Sequence, residues 1–112
     1  MPSYSPPKRA AEFIFYVSLV DQSNTKLFKS SATIAAGDFQ VSKDGGALAN
    51  LATLPTVTPA ASKMVKITLS ATEMTADNVT VVCSDAAGAE WNDLTINIQT
   101  AARQLDDLSY PA

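Results

Sequence analysis

The stretch AGDFQVSKDGGALANL, residues 36–51, sits near the middle of a chain of 112 residues. Phe39 and Val41 alternate with Gln40 and Ser42 before Asp44-Gly45-Gly46, and Leu48 and Leu51 follow. Asp-Gly between two alternating runs is a strong hairpin signal, because a primed turn needs positive φ at its central residues. A phosphate-binding loop would instead open a helix with a Lys-Ser/Thr pair after the glycines. Here ALANLATLP meets Pro55 within ten residues. A calcium loop needs alternating acidic ligands, and only Asp38 and Asp44 are near. The glycines therefore shape a turn between two strands.

Outward from this hairpin the chain alternates short apolar runs with turn formers. EFIFYVSLVD, residues 12–21, is the strongest strand, β-branched and aromatic. Phe13, Phe15, Val17 and Leu19 fall on one face, and Ile14, Tyr16, Ser18 and Val20 on the other. A strand apolar on both faces is central in its fold or covered by a partner. DQSNT breaks the run, and KLFKSSATI resumes as a poorer strand ending near Ile34. PTVTPAAS reads as a loop. KMVKITLS, residues 63–70, sets Val65, Ile67 and Leu69 against Met64, Lys66 and Thr68. Ser70 or Thr72 is placed to cap one helical turn containing Glu73 and Met74. NVTVVCS and AEWNDLTINIQT are the last two strands, with Leu94, Ile96 and Ile98 on one face of the latter. Seven or so strands with turns at short spacing predict an all-β immunoglobulin-like β-sandwich with one short helical turn. The domain spans residues 12–100, behind an extended proline-rich arm at 1–11 and ahead of a C-terminal segment or linker at 101–112.

Composition narrows the chemistry. There is no histidine and one cysteine, Cys83. A Ser-His-Asp or Cys-His pair cannot be assembled, nor can a zinc site with imidazole or several thiolates. Cys83 reads as a small buried hydrophobe. Asp85, Glu90 and Asp93 lie near Trp91, an arrangement some sugar sites share, but a solvated turn beside a core tryptophan accounts for them as well. No convergent polar set suggests an enzyme or a bound cofactor. The net charge of −3 and pI near 4.6 argue against nucleic acid, whose partners carry a basic face. No apolar run approaches membrane-spanning length, and MPSYSPPKRAA lacks the order of a secretory signal. Charged residues make up only 17% of the chain, against about 25% in ordinary soluble domains. A weakly charged surface is compatible with burial in an assembly.

Three segments carry a resemblance: AGDFQVSKDGGALANLATLP, VKITLSATEMTADNVTVVCSDAAGAEW and INIQTAARQLDDLSYPA. Together they look like a domain of tailed-phage structural proteins, an N-terminal β-sandwich with a GDF-x-VS-x-DGG hairpin, an LSATEM-x-ADNV turn and a closing DDL-x-YP segment. It is similar to the N-terminal domains of phage baseplate and tail-fibre proteins, which attach a fibre or receptor-binding module to the virion. The resemblance covers most of residues 12–111 and implies no enzymatic activity. It implies a virion protein assembled in the host cytoplasm, docked to other virion proteins and to copies of itself in a symmetric array. The contacts expected on that reading are the arm at Pro6, Pro7, Lys8 and Arg9, the two-faced first strand at Tyr16, and the C-terminal Leu105, Leu108 and Tyr110. A head-decoration protein of the capsid is the alternative address. A carbohydrate-binding module using Trp91 or Tyr16, with a host-surface glycan as its ligand, is the alternative of another class.

Overall fold

A computed structural model describes residues 7–85 and 88–101. The alternating runs become seven strands: β1 (Phe13–Val17), β2 (Phe39–Lys43), β3 (Ala49–Asn50), β4 (Thr56–Val57), β5 (Val65–Leu69), β6 (Asn78–Cys83) and β7 (Leu94–Gln99). They form two antiparallel sheets, β1-β5-β4 and β3-β2-β6-β7. This order is that of an immunoglobulin sandwich, with β1, β5 and β4 as strands B, E and D and β3, β2, β6 and β7 as C′, C, F and G.

Register follows from which side chains must leave water. Phe39, Cys83 and Leu94 form one row across the larger sheet, and Val41, Val81 and Ile96 the next. Phe13 with Leu69, Phe15 with Ile67 and Val17 with Val65 form the rows of the smaller sheet. A slip of one residue in any pair would turn a whole row outward. The core holds Leu19, Phe39, Ile67, Leu69, Met74, Val81 and Trp91, all essentially without solvent contact. Burying each such side chain contributes about 1.5–3 kcal/mol.

The central hairpin closes as its residues dictate. Asp44 and Gly45 both take positive φ, +52° and +78°. Gly46 N–H donates to Lys43 O at 2.9 Å. This is a primed two-residue turn. Lys43 faces Gly46 across it, yet Val41 pairs with Ala49 rather than Leu48, so one extra residue lies between turn and ladder. The predicted turn after β5 also forms. Ser70 Oγ accepts from Glu73 N–H at 3.2 Å, while Glu73 Oε1 accepts from Ser70 N–H at 2.8 Å. This reciprocal box closes one turn, with Met74 N–H on Ser70 O at 3.0 Å, and no helix grows from it.

Several expectations need correction. KLFKSSATI is not a strand. It contributes one bridge, Phe28 to Val20, and Ser31 at φ +50° turns the chain out of any ladder. Conversely, PTVTPAAS contains β4, whose two residues pair with Val65 and Lys66. The first strand stops at Val17, and it is an edge strand, not a central one. The last strand begins at Leu94, leaving Trp91 in a separate bridge to Asp21. The arm does not run free of the domain over residues 7–10. Lys8 bridges Ala101 in parallel, with Ala101 N–H on Pro7 O at 2.8 Å, Arg9 N–H on Ala101 O at 2.8 Å and Ala10 N–H on Met74 O at 3.0 Å.

Candidate functional site

With no histidine in the chain, carboxylates are the foremost candidates for acid–base work, so their partners bear on whether a chemical site exists. Asp85 accepts from Gly88 N–H and Glu90 N–H, each at 2.9 Å. Glu90 Oε1 accepts from Thr33 N–H at 3.0 Å. Asp93 Oδ1 accepts from the Ser84 hydroxyl at 2.7 Å. Asp38, buried, accepts from Ala35 N–H at 2.9 Å. Asp44 Oδ1 accepts from Asn78 N–H at 2.9 Å, and Glu73 Oε2 from Ala52 N–H at 2.9 Å. Each of these six carboxylates closes a loop or joins two. Among the described residues no group of three His, Cys, Asp or Glu is placed to hold a metal ion.

Trp91 is 1% exposed, so it offers no face to a sugar ring. Its Nε1–H meets no acceptor among the described residues. Packing holds the ring, with its centroid 5.8 Å from that of Phe39. Cys83 is fully buried, and desolvation pushes its thiol up to about 12. A thiol that resists ionisation is a poor nucleophile.

What the domain presents outward is apolar surface and strand edge. On the outer face of β1-β5-β4, Tyr16 is 49% and Ile14 37% exposed. Tyr16 pairs with Lys66 and Ile14 with Thr68. Among the described residues nothing pairs with the other edge of β1. The strand is well held from within, since Phe13 and Phe15 stack at 5.4 Å over the core.

A second apolar feature lies at the loop end of the sandwich. Asp21 N–H donates to Leu27 O at 2.9 Å and Lys29 N–H to Leu19 O at 2.6 Å, making a small hairpin. Asn92 N–H donates to Val20 O at 2.9 Å and Gln22 N–H to Glu90 O at 3.1 Å, fastening it to the segment around Trp91. Asp21 caps its turn, and the Ser23 hydroxyl and Ser23 N–H hold this exposed carboxyl below its ordinary range. Leu27 and Phe28, neighbours in sequence, are both about half exposed, so the hairpin projects with both faces in water.

Of the contacts expected from sequence, Tyr16 lies on the exposed face of β1. Pro7, Lys8 and Arg9 lie together beside Ala101, where the arm and the end of β7 meet. Arg9 also approaches Asp77 at 3.7 Å, an exposed pair of little energetic weight. Pro6, Leu105, Leu108 and Tyr110 lie outside the described residues. Ile14 belongs with Tyr16, and its place in the alternation of β1 is the signal that marks it. Leu27 and Phe28 were not singled out by the sequence, where they read as part of a strand. Among the described residues no helix is long and apolar enough to cross a membrane. Comparison with protein-family models, with curated proteins and with solved structures yields no match.

Proposed function

We propose that the protein is a non-enzymatic bacteriophage virion structural protein that docks to neighbouring virion subunits in the tail, baseplate or fibre-attachment region. One observation carries the docking part of this reading. Most of the carboxylates among the described residues are engaged in closing loops, while β1 offers an edge that no described residue pairs with, beside exposed Ile14 and Tyr16. A strand edge with apolar neighbours gains main-chain hydrogen bonds and buried area from an incoming strand. The virion address rests on the resemblance of the GDFQVSKDGG hairpin and the LSATEMTADNV turn to phage tail-protein sandwiches.

Copy number in purified particles, measured by quantitative mass spectrometry against the major capsid protein, tests the address. A few copies to a few tens place the protein on the tail or baseplate. Hundreds place it on the head as a decoration protein. Absence from every particle refutes the virion reading and leaves a binding module, for which a glycan array with Tyr16→Ala as control is the next experiment.

A further inference from the structure

We propose that β1 is where two copies of this chain meet, pairing antiparallel about a twofold axis through Phe15 so that the two smaller sheets become one of six strands. The inference rests on the reading of β1 as a docking strand, but not on where the protein works.

The first argument is that β1 is unlike the other sheet edges. Natural proteins protect edges with short strands, proline, charge or a covering segment. β3 and β4 have two residues each, and Pro55 and Pro59 flank β4. β7 is longer, but residues 7–9 bond to its extension at Ala101, and its outward side chains are Thr95, Asn97 and Gln99. β1 has five residues, FIFYV, with no charge and no proline.

The second argument is self-complementarity. With Phe15 on the axis, Phe13 faces Val17 of the other copy and Ile14 faces Tyr16. The axis repeats the second pair, so two Ile14 and two Tyr16 side chains form one outer cluster. Both are large hydrophobics exposed on this face, at 37% and 49%. Glu12 falls opposite Ser18, so no like charges meet. Apolar cross-strand pairs are favourable and like-charge pairs are not, so this register satisfies both conditions. A twofold contact of this kind also closes on itself, giving a dimer and not a filament.

Sedimentation velocity on the full chain, from micromolar to near-millimolar concentration, reads the dimer directly. Ile14→Lys and Tyr16→Glu each break both symmetry-related pairs and should weaken association roughly tenfold. Both positions are exposed, so thermal melting should stay near that of the parent. The double variant sets Lys opposite Glu twice in this register and should recover most of the association. A parent that remains monomeric throughout overturns the proposal. So does a dimer indifferent to the single changes, or one that the double variant fails to rescue. A monomer whose β1 amides resist hydrogen exchange overturns it too, by placing another segment of the same chain on that edge. A monomer leaves the copy-number test of the virion reading untouched, and absence from particles leaves the dimer standing.

Discussion

Glu73→Ala should be among the most damaging substitutions that leave the hydrophobic core intact. Glu73 is 8% exposed and ties two parts of the chain together. Its Oε1 accepts from Ser70 N–H at 2.8 Å and its Oε2 from Ala52 N–H at 2.9 Å. The first bond closes the turn between β5 and β6. The second fastens the crossover from β3 to β4 onto that turn. A hydrogen bond to a charged acceptor contributes about 1.5–3 kcal/mol. Alanine loses both, while regaining part of the cost of keeping a carboxylate out of water. The expected net loss is about 3 kcal/mol, a large share of the roughly 5–15 kcal/mol that holds a typical domain folded. In urea, with a slope near 1.5 kcal/mol per molar, the midpoint should fall by about 2 M, followed by circular dichroism. Glu73→Gln keeps one acceptor but turns its amide N–H₂ toward one of the two donors, so it should fall between alanine and the parent. Ser70→Ala removes only the bond from Glu73 N–H and should cost about 1 kcal/mol. A Glu73→Ala loss below about 1 kcal/mol, or one smaller than that of Ser70→Ala, would refute the two-bond clamp.

Gly45 sits at φ +78° with open space where a Cβ would go, so Gly45→Ala should cost about 1 kcal/mol from backbone conformation alone, read as a lower melting temperature. Asp44→Asn should be nearly neutral, because asparagine tolerates positive φ and keeps an acceptor for Asn78 N–H, whereas Asp44→Ala should be clearly worse. Cys83, fully buried with its thiol raised to about 12, should react with a thiol reagent at pH 8 only on unfolding. The unfolded thiol loses its proton above about pH 9 while the folded one keeps it, so this group's contribution to stability is present below pH 9 and declines toward pH 12. The decline is at most about 1.4 kcal/mol per pH unit, and Cys83→Ala should remove it from the alkaline limb of a stability–pH curve.

What could be read from the sequence was what short-range chemistry determines. The turn at Asp44-Gly45 needs only the φ preferences of two residues. The Ser70–Glu73 box needs only a spacing of three. Leu94, Ile96 and Ile98 face inward because alternation leaves them no other side once the strand forms. The errors arose where a distant partner decides. Thr56 and Val57 become β4 because β5 lies beside them, a fact that the flanking prolines conceal. Residues 26–34 look like a strand, yet among the described residues no ladder forms there beyond the single bridge at Phe28, and Ser31 turns away to donate to Ser62 O at 3.1 Å. The carboxylates were legible as loop residues but not as clamps, since Glu73 meets Ala52 and Glu90 meets Thr33 across long stretches of chain. The two apolar faces of β1 left it either central or covered by a partner; its edge position removes the first reading, and sequence does not reveal whether a face is covered by the same chain or left open.

That openness separates folding from docking within one strand. Phe13, Phe15 and Val17 point into the sandwich and bind β1 to the body through five paired positions with β5. Ile14 and Tyr16 project the other way and contribute little to the core. An edge held this firmly is already in its binding conformation, so pairing need not pay again to order the strand. The projecting hairpin at Leu27 and Phe28 is held differently, by main-chain bonds at its base and with both faces in water. Ordering it against a partner costs more for the same area. Substitution at Tyr16 should therefore change association and leave the melting temperature alone, while Phe15→Ala, which opens the core beneath the same strand, should lower both. If Phe15→Ala weakened association without lowering the melting temperature, β1 would not be the rigid edge described, and the division of labour between its two faces would have to be abandoned.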